Sequence, residues 1–205
     1  NQYRLDNILS INHNYLKEQF SDNAAIFSDI KKLVERGDFT LGEAVREFEA
    51  KFASLSGTKH AIGVGSGTDA LFLSLKALGV KDGDEVITSP YTFYATVGAI
   101  VTAGAKPVFV DVGSDYNIDV NLVEAAITEK TKVIMPIHWS GLICDMQKLR
   151  AIADKYQITI VEDACHAIGA TRDGRSAGAY GNTACYSMHP LKNLNVWGDG
   201  GIIVT

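Results

Sequence analysis

The sequence predicts an α/β fold, a seven-stranded and mostly parallel sheet flanked by helices. Two observations predict it. Short apolar runs rich in Val and Ile recur along the chain, and segments of helical spacing lie between most of them. Continuous apolar runs of this length suit strands covered on both faces, the condition of a parallel sheet between helical layers. The size agrees: 205 residues, 46% hydrophobic and 21% charged, are enough for one large domain with a core or for two small ones.

The elements follow in order. Residues 1–20 are polar and suit an arm that packs on a partner. Amphipathic patterns over 24–35 and 42–55 predict two helices, the second closed by Ser56-Gly57. The seven strands are expected over His60–Val64, Glu85–Ser89, Pro107–Val112, Lys132–Ile137, Ile158–Glu162, Ala184–Met188 and Gly201–Thr205. Helices are expected over Asp69–Leu78, Thr96–Gly104, Asn121–Thr128 and Asp145–Tyr156. Strand-helix alternation implies right-handed crossovers and parallel pairing. The last two strands lack a helix between them, so part of the sheet is expected to be antiparallel. The division is therefore an N-terminal helical arm, 1–36, and a sheet domain, 37–205. The final G-G-I-I-V-T reads as the middle of a buried strand, which suggests a fragment of a longer polypeptide.

Composition narrows the function. The net charge is −5 and the basic residues are scattered, which argues against a nucleic-acid binder. No apolar run approaches the roughly 20 residues that span a bilayer. The N-terminus lacks the layout of a secretory signal. Cys144, Cys165 and Cys185 are odd in number and far apart, so they make neither a disulfide framework nor a C-x-x-C metal pattern. A Cys165/His166/Cys185 metal site has no support from spacing. A reducing, cytoplasmic setting follows.

Four stretches carry candidate chemistry. The first is G-V-G-S-G-T-D-A-L from Gly63, a strand running through a glycine turn into a helix. Unpaired amides at such a helix start, next to the positive end of its dipole, suit a phosphate. Thr68 adds a hydroxyl and Asp69 a backbone N–H. A dinucleotide fingerprint fails here, because Thr68 stands where its third glycine belongs. In the second stretch, I-T-I-V-E-D-A-C-H-A from Ile158, a buried strand delivers acids and His166 at its C-terminal end, where open α/β sheets bind ligands. Asp163 there either caps the next turn or holds a cationic partner. The third, P-Y-T-F-Y-A-T from Pro90, puts aromatics at the same edge, with Phe93 able to stack on a flat ring or to fill the core. The fourth, Ser187 to Gly201, is S-M-H-P-L-K-N-L-N-V-W-G-D-G-G. A lysine in low-dielectric surroundings has its charged form disfavoured, and a neutral amine attacks aldehydes. Lys192 is otherwise a snorkelling surface lysine. Together, a phosphate cradle, an aromatic face, a carboxylate and a nucleophilic lysine are the requirements of a pyridoxal phosphate site.

The order of these motifs resembles the aspartate-aminotransferase superfamily (fold type I), and within it the DegT/DnrJ/StrS family of sugar aminotransferases. The stretches that carry the resemblance are F-T-L-G-E-A-V-R-E-F-E-A-K-F-A from Phe39, G-S-G-T-D-A-L from Gly65, S-P-Y-T-F-Y-A-T from Ser89, P-V-F-V-D from Pro107, V-E-D-A-C-H-A from Val161, and the Lys192 stretch. The resemblance implies that 37–205 is the pyridoxal-phosphate-binding large domain and that the small C-terminal domain is missing from this chain. It implies that Lys192 holds the cofactor through a Schiff base and shuttles protons, that Asp163 pairs with the pyridinium nitrogen, and that His166 lies near the 3-hydroxyl. It implies Phe93 on the ring face, and Gly67, Thr68, Asp69 and Ser187 on the phosphate. It further implies glutamate as donor, a keto sugar as acceptor, nucleotide-linked or phosphorylated, and a homodimer whose sites are completed by the partner. H-W-S-G over 138–141 departs from the H-L-x-G expected of the family, and H-P-L over 189–191 from smaller residues; both bear on the acceptor. Retention of Lys192 favours transamination over the family's dehydratase branch. The other readings are a lysine-dependent lyase or desulfurase on the same fold, and a non-catalytic regulatory relative.

Overall fold

The structure, a computed structural model, describes residues 12–205. The arm expected over 1–20 therefore lies partly outside the described residues. The chain divides into two compact units between Thr40 and Leu41. In the first, α1 (Leu16–Gln19) is a single turn. The second helix, α2 (Ala24–Arg36), sets Ile26, Ile30, Leu33 and Val34 at helical spacing, so they share a side, and ends on the left-handed Gly37.

The second unit contains α3 (Glu43–Ser56), β1 (Ala61–Val64), α4 (Gly67–Ala77), β2 (Glu85–Thr88), α5 (Tyr94–Thr102) and β3 (Lys106–Phe109). It continues through α6 (Val120–Val123), β4 (Thr131–Ile134), α7 (Met146–Tyr156), β5 (Thr159–Asp163), β6 (Thr171–Arg172), β7 (Arg175–Ser176), β8 (Thr183–Ser187) and β9 (Gly201–Val204). All seven expected strands join one sheet, in the order β1-β9-β8-β5-β4-β2-β3. The pairs β5–β8, β4–β5, β2–β4 and β2–β3 are parallel, whereas β9 runs antiparallel to both neighbours, as the missing final crossover predicts. Six strands thus end on the same edge.

The side chains of each strand alternate between two cores. Val86, Val133, Val161 and Cys185 pack on one face against Leu71 and Leu75 of α4 and Ala99 and Ile100 of α5. Ile87, Ile134, Ile160 and Ala184 pack on the other, with Leu149 and Ala153 of α7 and Phe52 of α3.

Two elements differ from expectation. The helix expected over 121–128 stops early: α6 passes into a 3-10 turn at Glu124–Ala126. The hydroxyls explain it, because Thr131 Oγ1 accepts the Thr128 amide and Thr128 Oγ1 the Lys130 amide, drawing the backbone out of the helix. The β6–β7 ribbon was not anticipated. Its strands have two residues each, too short to show a period, although Asp173-Gly174, both at positive φ, form the tight hairpin turn that the dipeptide favours.

Candidate active site

The parallel strands converge on a cavity of about 390 Å³ at their C-terminal edge, inside the usual range for small-ligand sites, roughly 300–1,000 Å³. Among its lining residues are Gly67, Thr68, Phe93, Asp163, His166, Ser187 and Lys192. These come from four loops and strand ends, and seven of the eight residues anticipated as a site meet here. The eighth, Asp69, is not among the lining residues: its N–H is donated to Ser66 Oγ, the cap of α4, at 3.0 Å.

That cap leaves two orphan amides at the helix start, those of Gly67 and Thr68. The helix comes close to the sheet there, and only glycine permits it. A Cβ at Gly67 would fall 2.7 Å from Ser187 Cβ, and one at Gly201 2.1 Å from the Ser66 carbonyl oxygen. Ser187 ends β8 beside this start and is buried, with its hydroxyl accepting the His189 amide at 3.3 Å. Donors from a helix N-terminus and a hydroxyl thus gather at one part of the cavity, a fitting seat for a phosphate.

Asp163 ends β5. Alternation along the strand sends its carboxylate into the cavity and that of Glu162 to the opposite face. Asp163 is buried, and its Oδ2 accepts from Thr96 Oγ1 at 2.7 Å while Oδ1 accepts from the Cys165 amide at 3.2 Å. Its backbone is pinned to the segment after β4: its N–H donates to Pro136 O and its carbonyl accepts from the His138 amide. His166 directly follows Cys165 and is half-buried. Loss of solvent, with the Lys192 charge nearby, holds its pKa below the ordinary histidine range, against a smaller opposing pull from Asp163. Lys192 lies in an irregular segment between β8 and β9, its N–H donated to His189 O at 2.8 Å and its carbonyl accepting from Asn195. Phe93, 54% exposed, caps the start of α5 in an extended conformation with its ring open to the cavity.

The donor set fits pyridoxal phosphate: anion-binding donors, a buried acid, an aromatic ring and one lysine line one cavity.

Several lining residues were missed from the sequence. Thr92 and Thr96 hold hydroxyls to each other and to Asp163; their i, i+4 spacing at a helix start was the available signal. Trp139, whose stretch was noted only as a departure, forms a wall with its ring centroid 5.0 Å from that of His166 and 4.9 Å from that of Tyr91. Cys165, with Sγ toward the Cys185 carbonyl, has its thiol pushed well up by burial and by Asp163, which makes it unreactive.

Comparison with known proteins agrees with this geometry. The model of the DegT/DnrJ/EryC1/StrS aminotransferase family matches residues 21–205. A pleiotropic regulatory protein of Geobacillus stearothermophilus is 46% identical over 93% of this chain and 52% of its own. A UDP-N-acetyl-3-dehydro-α-D-glucosamine 3-aminotransferase of Acidithiobacillus ferrooxidans is 45% identical over 88% of this chain and 49% of its own. Among solved structures, S. venezuelae DesV, in complex with a ketimine intermediate, superposes with a TM-score of 0.90 at 42% identity, over 93% of this chain and 52% of that one. NtdA of Bacillus subtilis, with bound cofactor PMP, gives 0.90 at 34% identity, over 97% and 46%. The chain spans about half the length of the curated relatives it matches. On the family match, the relatives and the shared fold, this chain belongs to the DegT/DnrJ/EryC1/StrS aminotransferase family.

Proposed function

We propose that this chain carries the cofactor-binding part of a pyridoxal-phosphate-dependent aminotransferase, which moves an amino group from glutamate to a keto sugar in amino-sugar biosynthesis. One observation carries the reading: Lys192 and Asp163 line the same cavity as the amide-bearing start of α4. We assign cofactor binding to the sheet unit. Gly67, Thr68 and Ser187 would bind the phosphate, Phe93 would shield one ring face from water, and His166 would lie beside the ring. When bound, pyridoxal phosphate supplies an electron sink conjugated to the reacting substrate carbon. Asp163, its carboxylate held by Thr96 and the Cys165 amide, would hold a proton at the ring nitrogen. Lys192 would hold the cofactor through Nζ and, as a free amine, would move a proton at Nζ as a general acid and base.

The names of relatives favour a nucleotide-linked acceptor over a simple sugar phosphate, since UDP- and dTDP-linked sugars appear among them. We further read the enzyme as a cytoplasmic homodimer. The exposed rings of Phe93 and Tyr94 at the cavity support a covering partner, and the free thiols of Cys144, Cys165 and Cys185 support a reducing compartment. Among the described residues no helix is long and apolar enough to cross a membrane.

A second reading, a regulatory relative without turnover, is favoured by the name of the Geobacillus protein. The test is optical. The purified protein should absorb in the near-ultraviolet to violet with pyridoxal phosphate, become covalently labelled on borohydride treatment, and lose its colour with glutamate. Lys192→Ala should abolish the labelling. A wild type that stays colourless with added cofactor overturns the enzyme reading; one that is labelled but unchanged by glutamate and by every keto sugar tried supports the regulatory one.

A further inference from the structure

The Asp163 carboxylate does not stand alone in the cavity wall. Thr96 Oγ1 lies 2.7 Å from Asp163 Oδ2, and Thr92 Oγ1 lies 2.7 Å from Thr96 Oγ1. The direction of this chain follows from chemistry. An ionised carboxylate can only accept, so Thr96 donates its single hydroxyl proton to Asp163. The Thr96 oxygen is then left to accept, and Thr92 donates to it. Thr96 is 1% exposed and sits in the first turn of α5, with its own amide fixed to Phe93 O at 3.1 Å. On the other side the Cys165 amide holds Oδ1 at 3.2 Å. Each carboxylate oxygen thus has a donor, which sets the plane of the group, and the Cys165 thiol lies against the same acid.

The geometry points to Thr96, backed by Thr92, as the positioning residue that aims Asp163 at the cofactor's ring nitrogen. This rests on the pyridoxal phosphate reading above. Thr96 need not touch the ligand; it acts through the rotamer of Asp163. Without its hydroxyl, Oδ2 loses the donor that Thr96 gives it, and the carboxylate is free to turn away. Hydrogen bonds to a charged group are among the strong ones, and an acid misaimed by a fraction of an ångström loses much of its grip.

A purely structural threonine, satisfied in the core, makes a different prediction, and a cofactor analogue separates the two. Binding of pyridoxal phosphate and of its 1-deaza analogue, in which carbon replaces the ring nitrogen, is measured by equilibrium dialysis on the purified protein. Thr96→Val, which keeps the shape and removes the hydroxyl, should weaken pyridoxal phosphate on the order of tenfold while leaving the analogue within about twofold. Thr96→Ser should restore wild-type binding. Thr92→Val, in a less buried position, should show the same selectivity at about threefold, and it keeps the test decisive if Thr96→Val does not fold. Equal weakening of both ligands in both valine variants overturns the positioning role alone. A wild type that binds neither ligand overturns the functional reading, and this inference with it.

Discussion

Glu162 and Asp163 are neighbours on β5, both acids and both buried, yet they live in opposite surroundings. Glu162 points away from the cavity into a closed cage. Its Oε2 accepts from the Gly178 amide at 2.9 Å and sits 2.7 Å from His138 Nε2; its Oε1 accepts from the Tyr180 amide at 2.9 Å and from the Gly181 amide. His138 Nδ1 in turn accepts the Cys144 amide at 3.3 Å, which places the imidazole proton on Nε2, toward Glu162. Asp163 points into the cavity with two donors and spare acceptor capacity. The difference teaches what separates an acid closed off inside the fold from one that faces the cavity. Both are desolvated, but one has every lone pair engaged by the protein and the other keeps some for a ligand. Burial alone would push the Glu162 pKa up; the His138 bond and the Gly181 and Gly178 amides outweigh it, and the net position is below the ordinary carboxylate range.

The largest effect should come from emptying the cage. Glu162→Ala leaves His138, the buried Gly178 and Tyr180 amides and the partly buried Gly181 amide without their acceptor, a loss of about 3–5 kcal/mol by analogy with one-sided removal of a buried pair, measurable by urea unfolding. The same group sets an acid limb. Because its folded pKa is depressed, its contribution is complete above the unfolded value of about 4.3 and disappears as pH falls through the lower folded value. Unfolding that is unchanged by Glu162→Ala would erase the distinction drawn between the two acids.

A smaller effect is expected at the cage wall. Gly178 has a φ of +87°, and a Cβ there would fall 2.3 Å from the Tyr186 hydroxyl oxygen. Gly178→Ala should cost about 1–3 kcal/mol while leaving cofactor affinity largely intact, since the cage lies on the other face of the sheet. The smallest effect on stability belongs to Asp163→Asn. The amide keeps an oxygen to accept from Thr96 or Cys165, so unfolding should shift by no more than about 1 kcal/mol, yet pyridoxal phosphate should bind at least about tenfold more weakly because the charge facing the ring nitrogen is gone. A variant that is as unstable as Glu162→Ala would show Asp163 to be structural.

The strands were legible because their apolar runs are continuous and long enough to register. The antiparallel final pair was legible from a missing crossover. The β6–β7 ribbon was not, since two-residue strands carry no period and only Asp173-Gly174 marked the turn. At the site, the glycine turn, Phe93 and Lys192 could be read because residue type and order carry the information. Which of the two acids faces the cavity could not be read from periodicity, because β5 is covered on both faces and the two neighbours look alike in the sequence. The Thr92–Thr96–Asp163 chain is likewise tertiary, joining a helix start to a strand 67 residues away. The engagement of the Asp69 amide by the Ser66 cap is likewise a matter of local helix capping that residue type alone does not reveal.

The glycine at 201 opens the strand that sits between β1 and β8, and a side chain there would collide with the Ser66 carbonyl at the start of α4. The earliest strand of the sheet and one of its latest are thus separated by a single ribbon threaded in the reverse direction. The start of α4 and the end of β8 are therefore brought to their final spacing only when the last strand of the sheet is in place, and on the reading proposed above a cofactor would find its anchoring amides only in the completed sheet.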